Sequence, residues 1–462
     1  MGDFIINALR GDKQTVEKIQ AKSSTLESKH DFYSEIFEKT QSYVVKEKLP
    51  ELSSALLSND MTVLEQIVGA YIKLNFANRI KGKEDEYITK VMSDMTGYSF
   101  LNKYFAQKDI IEEININAWD AVEVRYCDGR KIMIDEHFHS PQHAKDVILR
   151  ILQQNDKQMD ENKVYEISYI GKAVRIATTI SPIADAEIGI VASIRFIHSA
   201  VFKLDKLVEN KMLTEEAAQS LNYFINNGVS ICFCGSTGSG KTTICNALLE
   251  TVPNDTRLIT LEGGTREFDL IRRDEKGKVI NNRVHLQTRP HKNKDFNIDL
   301  QTLLDLILKF DPDIVAVGEM VSEEAFIASE TARTGHTVVT TIHTNNAFDA
   351  YYRMYTLSIR KYELDEKILL KLMVDAFPII VYTKKYSDGV RRVQTILEGI
   401  FDDKKKAIKF NELYRYVVTD NAYQEDGSIN VTGYFEKVNK PTERLVQFLM
   451  DNGLSKEDAD KL

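Results

Sequence analysis

Residues Gly235-Ser236-Thr237-Gly238-Ser239-Gly240-Lys241-Thr242 read G-x-x-x-x-G-K-[ST], and few octapeptides restrict a fold as tightly. Glycines let the backbone turn sharply and aim successive N–H groups at one point. The loop then has to sit between a strand and a helix whose N-terminus carries partial positive charge. Both flanks fit. Val229-Ser230-Ile231-Cys232-Phe233-Cys234 is short, apolar and β-prone, and Thr243-Ile244-Cys245-Asn246-Ala247-Leu248-Leu249-Glu250 reads as a helix. The expected ligand is a nucleoside triphosphate held by Gly235, Ser236, Thr237, Gly238, Ser239, Gly240, Lys241, Thr242 and Thr243. Lys241 has the reach for the β- and γ-phosphates, and the Thr242 hydroxyl suits Mg²⁺.

Around this loop the chain has 462 residues, room for two or three domains. A hydrophobic fraction of 43% supports real cores. A formal net charge of -9 gives no global basic field, so no direct nucleic-acid binding is expected. Of the four cysteines, Cys232, Cys234 and Cys245 fall in or beside the loop's strand and helix. Cys232 and Cys234 are expected to share one strand face and pack in the core, which argues against a disulfide framework or a zinc site and fits a reducing cytosol. No apolar run approaches the length of a membrane span and no signal-peptide pattern opens the chain. The expected location is cytoplasmic, with any membrane attachment made through partners.

Residues 1–95 are rich in Lys, Glu, Ser and Gln, with apolar residues at helical spacing, as in Leu56, Leu57, Met61, Leu64, Ile67, Val68, Tyr71 and Ile72. They predict a helical extension of two to four amphipathic helices, broken near Leu49-Pro50 and Asn59-Asp60. Residues 96–202 predict a small α+β domain. Strands are expected around 114–117, 121–125, 130–134, 165–170, 173–180 and 191–196, with Asp128-Gly129 as a hairpin turn and Ser140-Pro141 opening a helix. His137, His139 and His143 lack acidic or cysteine partners at ligand spacing and read as solvated side chains. After a linker at 201–210 and a helix near 214–226, residues 203–400 predict a mostly parallel α/β core. Its last two strands form an antiparallel hairpin across Ser387-Asp388-Gly389. Residues 401–462 are polar and read as a partly helical extension, with a turn at Asp426-Gly427 and a closing helix pair in which Ser455 caps the second helix.

A phosphate loop needs a carboxylate at the end of another strand. Asp313-Ile314-Val315-Ala316-Val317-Gly318-Glu319 provides one, and Glu319 is the candidate to position water and, through water, Mg²⁺. A second strand ends in Leu261-Glu262-Gly263-Gly264-Thr265-Arg266-Glu267, and a third lies between His336 and His343.

Taken in this order, the boxes resemble Walker A, Asp box, Walker B and His box of the secretion-ATPase superfamily of type II and type IV secretion and type IV pilus assembly. The likeness covers about residues 100–400. Leu286-Gln287-Thr288-Arg289-Pro290, Phe310-Asp311-Pro312-Asp313, Asp388-Gly389-Val390-Arg391-Arg392 and Ala192-Ser193-Ile194-Arg195-Phe196 are similar to the tight-adherence (Tad/Flp) pilus and conjugative branch. The resemblance implies a RecA-like P-loop motor domain behind a PAS-like α+β domain. It implies an ATP- and Mg²⁺-dependent hexameric motor that acts on an integral-membrane platform protein of a pilus or secretion machine. It also assigns catalytic positions. Glu319 is the Walker B glutamate, Glu262 and Glu267 the Asp-box acids, and His336 and His343 the His-box imidazoles. Arg175 and Arg195 are N-terminal-domain arginines that close on nucleotide, and Arg257 precedes the Asp box.

The chain departs from the family pattern at three places. Gly263 replaces a second Asp-box acid, Val321 stands where an arginine is usual, and Lys309 replaces an arginine before Walker B. These departures motivate an alternative, an ATP-binding regulatory or scaffolding relative with weak hydrolysis. A nucleic-acid-stimulated hexameric motor is a third reading, disfavoured by the acidic balance.

Overall fold

The computed structural model describes residues 32–48, 50–51, 60–154, 157–160, 162–170, 174–196, 202–263, 268–289, 293–322, 324–424 and 429–462. The chain forms two units, Met1–Phe196 and Ile197–Leu462. The first begins with helices α1 (Phe32–Glu47), α2 (Thr62–Ile80), α3 (Glu84–Thr96) and the short α4 (Leu101–Phe105). In α2, Leu64, Val68, Ile72 and Phe76 recur every fourth residue and are all buried, so one stripe of the helix faces its neighbours. Ile36, Phe37 and Val44 of α1 and Ile88 and Val91 of α3 complete that core. Among the described residues, α1, α2 and α3 fall within the two to four helices that the periodicity predicts. Leu49 and Asn59, at the expected breaks, lie outside the described residues.

Six strands follow: β1 (Ile111–Ala118), β2 (Ala121–Tyr126), β3 (Lys131–Ile134), β4 (Tyr165–Ile170), β5 (Val174–Thr179) and β6 (Val191–Phe196). They form one antiparallel sheet in the order β3-β2-β1-β6-β5-β4. Helix α5 (Pro141–Gln153) starts as its sequence predicts, with the Ser140 hydroxyl accepting from the His143 N–H at 3.1 Å and proline in the first turn. Val147, Ile148, Ile151 and Leu152 of α5 share a core with the inward residues of the sheet.

The expectation of solvated histidines holds for the exposed His137 and is corrected for His139 and His143. His143 is only 3% exposed. His139 Nε2 lies 2.7 Å from Asp94 Oδ2, and the two imidazole rings stack at 4.7 Å. Asp94 comes from α3, 45 residues upstream of His139, where no ligand spacing could reveal it. Tyr33 of α1 donates to the same carboxylate oxygen at 2.7 Å, so the network ties the helical bundle to the start of α5. Asp94, His139 and His143 place their ligand atoms within 4.8 Å of one another. The His139 backbone N–H donates to His143 Nδ1 at 3.2 Å and Asp94 Oδ2 meets both Tyr33 and His139, whereas His143 Nε2 is buried without a hydrogen-bond partner among the described residues. The cluster is a buried structural network.

Burial, reinforced by the neighbouring His139, pushes the His143 imidazole down to about 4 from an ordinary value of 6.5. Between those two values the unfolded chain holds the extra proton. Stability is therefore fully present above about pH 6.5 and falls as pH drops towards 4, by on the order of 3 kcal/mol. Urea unfolding followed by Trp119, the only tryptophan and a residue of this unit, is expected to show that loss, and His143→Leu to flatten it. An identical pH profile in the variant would show that His143 does not carry the effect.

The second unit opens with α6 (Leu204–Glu209), where composition suggested a linker; Leu204 and Leu207 are buried in its core, which makes the segment part of the domain. After α7 (Glu215–Asn226) come β7 (Ile231–Gly235), α8 (Lys241–Leu249), β8 (Leu258–Glu262), β9 (Arg283–Gln287), α9 (Leu300–Ile307), β10 (Ile314–Met320), α10 (Glu324–Arg333) and β11 (Thr337–Ile342). Then follow α11 (Ala350–Ser358), α12 (Glu366–Ala376), β12 (Ile379–Lys385), β13 (Arg391–Asp402), β14 (Ala407–Tyr423), β15 (Ile429–Lys437), α13 (Glu443–Asp451) and α14 (Lys456–Ala459).

These strands make one sheet in the order β15-β14-β13-β12-β7-β11-β10-β8-β9. The run from β12 to β9 is parallel, and β12 to β15 is antiparallel. Both faces of β7 are covered. Ile231 and Phe233 enter one core and Cys232 and Cys234 the other, the shared cysteine face that alternation predicts. Burial pushes the Cys234 thiol up to about 12, which suits packing and not reactivity.

Residue 400 is no break in this structure. It lies within β13, and the chain beyond it adds β14 and β15 to the same sheet. Leu445, Leu449, Leu454 and Leu462 return to the core beneath β7. Each fully buried leucine contributes about 1.5–3 kcal/mol, enough to make these polar-looking residues integral. The closing helices are capped by Thr442 and Ser455. The expected turn at Asp426-Gly427 lies outside the described residues.

Candidate active site

In a parallel sheet every strand delivers its C-terminal end to the same edge, and ligands bind there. The phosphate loop follows β7 at that edge. Gly235 has φ 149° and Gly240 has φ 96°, both in the region that favours glycine. A Cβ on Gly235 would collide with the Thr383 carbonyl oxygen, so the loop passes where only glycine fits. Gly240 leads directly into α8.

Lys241, 7% exposed, donates from Nζ to Gly235 O at 3.0 Å and to Ser236 O at 2.9 Å. The Ser239 N–H donates to the same Ser236 oxygen at 3.3 Å. An ammonium and a backbone amide thus converge on one oxygen, the arrangement a phosphate oxygen requires. Lys241 Nζ also lies 3.2 Å from His343 Nδ1, and His343 Nε2 lies 2.8 Å from Glu319 Oε1. An ammonium only donates and a carboxylate only accepts. His343 Nδ1 also lies 3.2 Å from Gly235 O, so it meets both Lys241 and the carbonyl that Lys241 holds, while Nε2 faces Glu319. Lys241, His343 and Glu319 therefore form one hydrogen-bonded chain across the ends of β7, β11 and β10.

Glu262 ends β8, the neighbour of β10. It is 2% exposed, and its Oε1 accepts from the Phe268 N–H at 2.9 Å. A Cβ on Gly318 would lie in ordinary contact, 3.6 Å from Glu262 Cγ, so the two acidic strand ends run side by side. Thr341 of β11 fixes the same corner by donating to Gly318 O at 2.7 Å. Glu267 lies outside the described residues.

Two expected participants from the second unit, His336 and Arg257, do not join this group, and the direction of the strands explains why. His336 precedes β11, whereas His343 follows it. Six residues of extended chain, at about 3.3 Å each, put His336 at the opposite edge of the sheet, with Thr334 Oγ1 at 3.3 Å. Arg257 precedes β8 and shares that far edge. Its N–H donates to Asp313 Oδ2 at 2.6 Å, and its carbonyl accepts from the Asp313 N–H. Arg175 and Arg195 belong to the first unit, where they stand directly opposite each other on β5 and β6. Their neighbours Val174, Ile176 and Ile194 fill the core, so both arginines occupy the other face of that sheet.

Other contacts at the loop were not foreseen as site positions. Thr383 Oγ1 of β12 lies 2.9 Å from Ser239 Oγ, and Arg391 at the start of β13 donates from Nε to Gly238 O at 2.8 Å. The stretch Asp388–Arg392 stands out in the sequence, yet no local signal places its hairpin beside β7.

The loop fits a triphosphate, with positive-φ glycines and converging donors. The oxygen donors Thr242, Glu319 and Glu262 suit Mg²⁺, a hard cation that takes oxygen ligands.

A profile of proteins described as "Type II/IV secretion system protein" matches residues 139–376, more than half of the 462. The chain belongs to this family. It is 31% identical over 209 residues to the conjugal transfer protein TrbB of Rhizobium radiobacter, covering 44% of this chain and 59% of TrbB. It is 29% identical over 233 residues to the type IV pilus assembly ATPase PilB of Pseudomonas aeruginosa, covering 50% of this chain and 38% of PilB. The chain thus spans less than two thirds of either curated relative. Among solved structures, the ATPase DotB of Yersinia pseudotuberculosis matches with a TM-score of 0.46 and 16% identity, covering 78% of this chain and 84% of DotB. Among the described residues of this family member, no helix is long and apolar enough to cross a membrane.

Proposed function

We propose that the chain is an ATP-hydrolysing motor of a type IV or Tad-like pilus, or of a type II/IV secretion machine, and that it works as a hexameric ring. It acts at the cytoplasmic face of the membrane on an integral-membrane platform protein. The observation that carries this reading is the connection from Lys241 through His343 to Glu319, which joins the phosphate loop to a carboxylate at the end of β10. The relatives' names, conjugal transfer and pilus assembly ATPase, support the class of machine. The strand order β2-β1-β6-β5-β4, with β3 at the edge, supports the PAS-like label for the first unit's sheet.

In this mechanism, loop amides and Lys241 exchange the Gly235 and Ser236 carbonyls for phosphate oxygens. The Thr242 hydroxyl and, through water, Glu319, with support from Glu262 and Glu267, would hold Mg²⁺, which would supply charge neutralisation at the phosphates. Glu319 orients the attacking water and accepts its proton. Arg175 and Arg195, by their match to the family's nucleotide arginines, supply positive charge to the triphosphate. Loss of the γ-phosphate returns Lys241 to its carbonyls and to His343, which passes the change to Glu319.

Release of inorganic phosphate from ATP by the purified full chain tests the reading. Release that needs Mg²⁺ and stops with chelator is expected. Tight ATP binding with no phosphate release, even with its membrane partner present, would replace the motor with the scaffolding alternative.

The Asp-box departure makes its own prediction. A Cβ on Gly263 would meet nothing within 4 Å, so Gly263→Asp is expected to fold normally. Because cation affinity follows ligand charge, the variant is expected to reach half-maximal ATPase at roughly three- to tenfold lower Mg²⁺. An unchanged Mg²⁺ titration would show that residue 263 does not face the metal.

A further inference from the structure

The phosphate loop is fastened from outside by the β12–β13 hairpin, at two consecutive residues. Thr383 on β12 meets Ser239 through their hydroxyl oxygens, 2.9 Å apart, with both side chains fully buried. Arg391, on β13 and paired in register with Lys385, donates from Nε to Gly238 O at 2.8 Å. Its stem also covers the loop: a Cβ on Gly240 would lie 3.4 Å from Arg391 Cδ. Adjacent residues of a strand point to opposite faces. Arg392 accordingly turns away from the loop, engages Asp388 at 3.1 and 2.8 Å and sits 5.0 Å from the Tyr416 ring. Of the arginine pair only Arg391 serves the loop.

The peptide plane makes that contact consequential. The C=O of residue 238 and the N–H of residue 239 belong to one rigid planar unit and point in opposite directions. Holding Gly238 O outward against Arg391 therefore turns the Ser239 N–H inward. There it meets Ser236 O at 3.3 Å, the oxygen on which Lys241 also converges at 2.9 Å. Without the guanidinium the glycine-flanked peptide is free to rotate, and one of the loop's converging donors is lost.

We propose that Arg391 is a positioning residue for the triphosphate, acting through the Gly238–Ser239 peptide and not by touching the substrate. The proposal rests on the nucleotide-binding reading above. Arg391→Ala removes a hydrogen bond from a charged donor, whose loss costs about tenfold or more. The Kd and KM for Mg-ATP are expected to rise about tenfold, while kcat falls no more than about threefold. Lys carries a donor of similar reach, so Arg391→Lys is expected to restore KM to within about threefold. A guanidinium bound directly to phosphate would not be replaced in this way. Hydrogen exchange of the free protein is expected to speed up in peptides covering residues 236–243 of Arg391→Ala and to stay unchanged in β12 and β13.

The outcomes separate the two readings. Wild-type protein that binds no Mg-ATP removes the nucleotide reading itself. Wild-type binding with equal Kd in Arg391→Ala overturns the positioning role alone, as does weakened binding that Arg391→Lys fails to rescue.

Discussion

Lys241→Ala is expected to lower ATP hydrolysis by about 100- to 1,000-fold, with most of the loss visible as failure to bind Mg-ATP. The magnitude is that of removing one preorganised cationic donor from a developing anion. The structure explains why no other group substitutes. Lys241 Nζ meets Gly235 O, Ser236 O and His343 Nδ1 together, so its removal takes the ammonium from the point where the loop and His343 converge. The fold should survive, because alanine favours the first turn of α8 and water can reach the carbonyls left behind. An unfolding midpoint equal to wild type, with binding lost in a fluorescent ATP titration, is the expected pair of results. Unchanged affinity would show that the triphosphate sits elsewhere.

Glu319→Gln is expected to do the reverse, binding Mg-ATP within about threefold of wild type while losing about 100- to 10,000-fold in turnover, the range of a positioned general base. Glutamine keeps the shape and still accepts from His343 Nε2, now 2.8 Å away. What it loses is the negative charge that takes a proton from water. Single-turnover assays separate the two quantities. A variant that hydrolyses ATP at the wild-type rate would move the base to another carboxylate, with Glu262 the neighbour on β8.

How far the sequence carried this account depended on how local each signal was. The phosphate loop, the hairpin across Ser387-Asp388-Gly389 and the caps at Ser140 and Ser455 are short-range chemistry, and each could be read directly. Lys241, His343 and Glu319 share one edge because a parallel sheet sends every strand end there, but the contacts between them leave no local sequence signal. The same rule, applied to the residue before a strand, would have placed Arg257 and His336 at the far edge; family position alone did not reveal it. The Asp94–His139 pair spans 45 residues and the Arg391–Gly238 contact 153, and neither leaves a local pattern. Residues 401–462 look like an appendage because an edge hairpin is polar on its open side. Only strand order shows that they complete the sheet.

The most direct test of the central claim is a crystal structure of the full chain with Mg²⁺ and a non-hydrolysable ATP analogue. The account predicts the β- and γ-phosphates within hydrogen-bonding distance of Lys241 Nζ and the Ser239 N–H, with Nζ drawn off the Gly235 and Ser236 carbonyls and Glu319 facing the γ-phosphate. Phosphates bound away from residues 235–243, with Lys241 still on its own loop, would contradict it.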